Sequence, residues 1–349
     1  MSETSPRFLV EERGARRDLG AFVVAARFDR AGRVAAFALG DGTVRLVDPA
    51  APEEWRAVAV HEGAALALAP DAVPGGFVSG GDDGRACRVR GDGGVAELGA
   101  FGMKWVEQVA SHPAERGKGG LIACGVGKLV HLFDGTGKKL RELAHPSTVT
   151  GLAFDTKGKR IAASHYNGAT LWFVGSDSPR RLEWKGSHIG IALHPDGAAV
   201  VTAMQENALH GWALPDGKHM RMSGYPGKTR SMSFSRGGKW LATSGSDAMV
   251  LWPFFGGGPM GKAPLELAGG DGVACTQVAF HPQQDIVAGG FADGLVVIAD
   301  VGSSRVIPVA PPVGSPVSTL AWSPDGAFLA LGMEAGLAAL VDLRSRPGV

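Results

Sequence analysis

A unit of three short strands recurs from one end of this chain to the other, and that recurrence limits what the chain can fold into. Its clearest copy is residues 227–252, GKTRSMSFSRGGKWLATSGSDAMVLW. Ser231 to Phe234 alternate small and large, Ser235-Arg236-Gly237-Gly238 turns, and Trp240 to Ser244 form a second apolar run. Gly245-Ser246-Asp247 turns again before Met249 to Trp252 close the unit. Apolar runs of strand length broken by Gly, Asp and Ser spell antiparallel hairpins. The large residue ending the first strand recurs at Phe28, Leu68, Val109, Phe154, Leu193, Phe234, Phe280 and Trp322. The end of the third strand recurs at Val47, Val89, Phe133, Trp172, Trp212, Trp252, Ala299 and Val341. One such sheet cannot bury both of its faces, so each copy must stack on others of its kind.

The steps of about forty to forty-eight residues are those of propeller blades. Trp322-Ser323-Pro324-Asp325-Gly326-Ala327-Phe328-Leu329-Ala330 resembles the first turn of a WD repeat, and Gly40-Asp41-Gly42-Thr43-Val44-Arg45-Leu46-Val47-Asp48 resembles its end. The chain thus resembles the WD-repeat β-propeller family, with degenerate repeats of a bacterial type. The expected fold is all-β: one eight-bladed propeller of four-stranded antiparallel blades, occupying residues 1–349 as a single domain. An N-terminal strand within residues 7–12, with Arg7–Glu11 paired to Leu337–Leu343, is expected to complete the last blade and close the ring. The resemblance also implies hydrogen-bonded sets of His, Asp, Ser or Thr, and Trp inside the blades. Repeat two offers His61, Ser79 and Asp82 or Asp83, with Val89 for the Trp. Repeat four offers His145, Ser164, Asn167 and Trp172, and repeat six Ser244, Asp247 and Trp252 without a His.

Composition agrees with a Gly-turned, well-packed chain. The 53 Gly supply tight turns, and 45% hydrophobic residues argue against disorder. No run of apolar residues is long enough to span a membrane, and the opening MSETSPRFLVEERGARRD lacks a secretory core. Cys87, Cys124 and Cys275 have no paired spacing and read as reduced core residues, which favours the cytoplasm. The net charge of +1 hides an asymmetry: residues 101–262 carry 20 Lys and Arg against 11 Asp and Glu, and the rest 15 against 23. A nucleic-acid partner is not favoured without a clear net positive charge.

Candidate chemistry is sparse. The ten His show no HxH, HExxH or CxxC context, so no metal or cofactor is expected. His112, His194 and His281 precede Pro in first turns and are expected to serve those turns. The Gly-rich segments join strand to strand and do not lead into a helix, unlike phosphate loops. These observations favour a non-catalytic scaffold or adaptor binding one or more proteins through its loop faces. The alternative is a small-molecule binder or enzyme using the central channel. On one face, Trp105, Tyr166, Gln205, Arg230, Phe291 and Met333 are the expected contacts, since aromatics and Arg dominate binding hot spots. On the other, Arg116, Lys118, Lys138, Lys139, Lys157 and Lys159 gather a basic sector near the Phe254 and Phe255 loop.

Overall fold

A computed structural model of the chain describes residues 7–114 and 119–345. Repeat six shows how sequence becomes sheet. Met232–Phe234, Trp240–Thr243, Met249–Pro253 and Leu265–Leu267 pair in chain order as one antiparallel sheet. The middle strands bury nearly every residue, whereas outer strands such as Ala51–Ala59 are mostly exposed. Apolar side chains of neighbouring sheets interleave. Phe77, Cys87 and Val89 of repeat two pack against Ala36, Val44 and Leu46 of repeat one. The inner strands follow one another around a ring, with Val23–Phe28 beside Val317–Trp322.

The expected eight separate four-stranded blades are corrected by the pairing. There are seven sheets, six of them four-stranded, and the seventh is a six-stranded sheet that takes up repeats four and five together. Two fourteen-residue strands, Arg160–Phe173 and Arg180–Leu193, join them. Asn167 at φ 66° and Gly168 at φ 135° carry the first strand through its bend, and Gly186 at φ 128° does so for the second. Tyr166 pairs with Ser187, so the ladder continues where a loop elsewhere separates two sheets.

Ring closure differs as well. Arg7–Glu11 is not the closing strand: Leu9–Arg13 is a short helix whose Val10 is buried against Val309, Ala310 and Val341. Gly14–Asp18 instead pairs with Leu337–Val341, seven residues later than expected. Nor does this strand close the ring alone. Thr319 Oγ1 accepts the Ala26 N–H at 3.0 Å, and Ser318 Oγ donates to the Val23 carbonyl at 2.6 Å.

Similar hydroxyl stitches join other neighbours. Ser231 Oγ donates to the Val278 carbonyl at 3.0 Å, and Thr276 Oγ1 to that of Val317 at 2.7 Å. The turn histidines act as expected. His112 Nε2 reaches the Thr156 carbonyl at 3.2 Å, and His194 Nε2 that of Gly238 at 2.8 Å, each in the next repeat's first turn. Gly158 makes this possible: a Cβ there would lie 2.6 Å from the His112 ring, at a φ of 61° that disfavours other residues.

Candidate functional site

On the face formed by the second turn of each repeat and the loop entering the next, linker and turn are locked together. Val60 N–H donates to the Gly42 carbonyl at 3.2 Å and Val149 N–H to that of Gly127 at 2.8 Å. Two aromatic side chains stand on this rigid base where repeats four and five share their sheet. Tyr166 is 54% exposed and Trp184 37%. Both line a cavity of about 690 Å³ with Pro146, Ser147, Arg181 and Lys185, and a second of about 390 Å³ with Met204, Glu206 and Arg221. They form the ridge between two adjoining hollows.

The Tyr166 backbone and the Trp184 ring are both held from below. Tyr166 N–H donates to Ser147 Oγ at 2.9 Å, and its carbonyl accepts from His165 Nδ1 at 2.9 Å. Trp184 stacks on His210, with ring centroids 4.0 Å apart and planes at 16°. Its carbonyl accepts from His188 Nε2 at 2.9 Å, and His188 Nδ1 meets Thr202 Oγ1 at 2.7 Å. His210 Nε2 lies 2.9 Å from His219 Nδ1. Burial, reinforced by His219, pushes the His210 imidazole down to about 3, so it is neutral beneath Trp184 near pH 7.

The blade-internal sets follow. In repeat two, His61 Nε2 meets Ser79 Oγ at 2.9 Å and Nδ1 meets Asp83 at 3.1 Å, which selects Asp83 over Asp82. In repeat four, Trp172 Nε1–H donates directly to His145 Nε2 at 3.1 Å, while Ser164 Oγ pairs with Thr150. Repeat six replaces the missing His with Tyr225. Trp252 Nε1–H donates to Tyr225 Oη at 2.6 Å, which also lies 2.6 Å from Thr243 Oγ1. Ser244 serves the loop instead, accepting the Arg230 and Ser231 N–H groups.

Comparison with known proteins agrees with this design. The model of the anaphase-promoting complex subunit 4 WD40 domain matches residues 271–347. Telomerase protein component 1 of Mus musculus is 26% identical over 191 residues, covering 52% of this chain and 7% of that protein. The Drosophila melanogaster LST8 homolog is 30% identical over 106 residues, covering 30% of this chain and 33% of that protein. Together with the propeller fold, these matches support a WD-repeat propeller family for the chain. A crystal structure of the computationally designed Ika8 protein shares its fold, with a TM-score of 0.74 at 19% identity over 93% of this chain and 97% of that one. The propeller thus spans a third or less of the two relatives' own lengths, and both are animal proteins, which lend no support to a bacterial type.

The other expected contacts divide. Trp105 is 57% exposed in the loop entering repeat three, and Gln205 and Arg230 are exposed on the same face. Arg230 lines a separate cavity of about 550 Å³ with Lys228, Asp247, Thr276 and Glu334. Phe291 and Met333 are corrected to core residues. Each ends a second strand with its side chain turned inward, Phe291 onto Met249 and Cys275, Met333 onto Val296 and Val317. Trp184 escaped sequence reasoning; its signal is a Trp between Glu183 and Lys185 in a largely charged outer strand, Arg180 to Lys185.

On the opposite face Lys138, Lys139, Lys157 and Lys159 are exposed, with Lys139 paired to Glu142. Arg116 and Lys118 lie outside the described residues. Phe254 is no free anchor: it packs edge-on to Phe234 at 5.0 Å and near the His194 ring. Phe255 is 48% exposed, edge-on to Trp240, with Lys262 Nζ 4.9 Å above its ring centroid. Among the described residues, no group of three or more His, Cys, Asp or Glu is placed to hold a metal ion.

Proposed function

We propose that this propeller is an interaction scaffold that binds a partner protein on the face where Tyr166 and Trp184 stand. The carrying observation is the exposure of these two rings between two hollows, on backbone fixed by hydrogen bonds. Large aromatic surface with few rotatable bonds buries area at low entropic cost, which is why such residues anchor interfaces. Trp184 is already oriented by its stack on His210, so binding need not order it. Arg181, Lys185 and Arg221 rim the hollows and suit a partner surface with acidic groups. WD40 propeller homologues generally mediate protein–protein interactions, which supports this reading.

The test is quantitative capture of cellular proteins by tagged wild-type chain and by Tyr166→Ala/Trp184→Ala. Specific proteins should fall at least about tenfold in the double variant, as expected for loss of two central anchors. Retention of every captured protein at wild-type levels would remove this face from the function.

A further inference from the structure

The same face is divided by charge. The turns and entering loops of repeats one, two, seven and eight carry Asp41, Glu62, Asp82, Asp271, Asp293 and Glu334, and no Lys or Arg. Asp83 is in this half too but is engaged by His61. Those of repeats three to six carry Lys104, Lys128, Lys185, Lys228 and Arg230 against Glu107, Glu206 and Asp247. The side chains of Asp41, Glu62, Asp271 and Glu334, and of all five bases, belong to exposed residues. Apolar groups stand exposed on both halves: Phe22 at 43% and Val313 at 47% on the acidic one, Trp105 and Tyr166 on the basic one.

Resting on the protein-binding reading of this face, we propose that one partner it binds is a second copy of this chain, docked face to face with the basic half of each over the acidic half of the other. The geometry follows from the order of repeats around the ring. A twofold axis in the plane of the face, along the line dividing the halves, passes between repeats two and three and between six and seven. It lays repeat three over repeat two of the second copy, the sheet shared by repeats four and five over repeats one and eight, and six over seven. Lys104 and Lys128 then meet Glu62 and Asp82, Lys185 meets Glu334, and Lys228 and Arg230 meet Asp271 and Asp293. Tyr166 comes over the region of Phe22, which supplies apolar contact inside the ring of charges. A twofold contact is self-complementary, so every pairing occurs twice and one face suffices for both chains. An external acidic protein would use the basic half alone and leave the acidic half unexplained.

The experiment is light scattering of the purified full chain across a salt series. The wild type should run near the mass of two 36.0 kDa chains at low ionic strength and shift toward one chain as salt rises to about 1 M, where screening shortens to about 3 Å. Two charge-reversed variants test the register, Lys185→Glu/Arg230→Glu and Asp271→Lys/Glu334→Lys. Each places like charges opposite each other twice, so each alone should self-associate at least about tenfold more weakly. Mixed together they restore opposite charges at both contacts and should form a heterodimer. That rescue also shows that both variants fold. A wild type monomeric at every salt concentration would overturn the pairing, yet leave capture of other proteins by Tyr166 and Trp184 to its own test. A dimer that neither variant weakens, or variants that fail to pair when mixed, would equally overturn it.

Discussion

Tyr225 offers the sharpest stability test, because it replaces the His expected before the first strand of repeat six. Its hydroxyl accepts the Trp252 Nε1–H at 2.6 Å and lies 2.6 Å from Thr243 Oγ1, with Tyr225 8% and Trp252 9% exposed. Burial drives the phenol up to about 12, so it stays neutral at ordinary pH. Tyr225→Phe keeps the ring and removes the acceptor. Thr243 retains a partner, since its hydroxyl also donates to the Val250 carbonyl at 3.0 Å, but the indole N–H is stranded in a buried site. An orphaned buried donor costs about 1–3 kcal/mol. Unfolding entropy of about 2.1 cal/mol/K per residue, over 349 residues, gives about 0.7 kcal/mol/K, so the melting temperature should drop by about 1.5–4 °C. Urea unfolding followed by Trp fluorescence should show an earlier midpoint with an unchanged slope. Tyr225→His, which imitates the acceptor of repeat four, should recover part of the loss. A Tyr225→Phe variant with the wild-type midpoint would show that the Trp252 N–H is satisfied otherwise, and the reasoning would fail.

Three further outcomes are expected. Burial raises the thiols of Cys87 to about 11 and of Cys124 and Cys275 to about 12, so a thiol-directed reagent at pH 8 should label none of them until denaturant is added; prompt labelling of the native chain would contradict their placement. Burial lowers His145 to about 4 and His210 to about 3, below the unfolded value near 6.5, so in acid the unfolded chain binds more protons. Their contribution is therefore complete above pH 6.5 and is lost as pH falls toward 4 and then 3, and His145→Gln should flatten the melting temperature between pH 7 and 5 relative to wild type. Removing residues 1–18 takes away Gly14–Asp18 and bares the edge of Leu337–Asp342, so the truncated chain should melt several degrees lower and aggregate more readily, whereas removing residues 1–8 should do much less.

The period was legible because a large residue ends the first strand in each repeat, with Phe28, Phe154 and Phe234 at matching places. The ring's ends were not. Phe8-Leu9-Val10 reads as a strand by its apolarity, yet Val10 packs from a short helix. The strand that does pair, Gly14–Asp18, holds Arg16, Arg17 and Asp18 exposed. An outermost strand buries too little to write an alternating pattern. The fusion of repeats four and five was hidden for a related reason. Asn167-Gly168 and Gly186 look like turns that end strands, but pairing of Tyr166 with Ser187 carries the ladder past them. At the site, turn position marked Tyr166 and Arg230 correctly as surface, but Phe291 and Met333 sit one residue earlier, where the side chain still points into the core. Trp184 belongs to an outer strand, and its stack on His210 comes from pairing across repeat five that no local spacing reveals.

The most direct test of the binding face is site-specific photocrosslinking in the native cell. A benzophenone amino acid placed at position 166 is compared with one at position 173, since Tyr166 and Phe173 are 54% and 50% exposed in the same repeat. The two ends of the Gly168–Phe173 segment lie about 16–17 Å apart, so one label reports the proposed face and the other its reverse. Protein adducts at position 166, with few or none at position 173, are the predicted result. Equal adducts at both positions, or adducts at position 173 alone, would contradict the assignment of partner binding to the Tyr166 and Trp184 ridge.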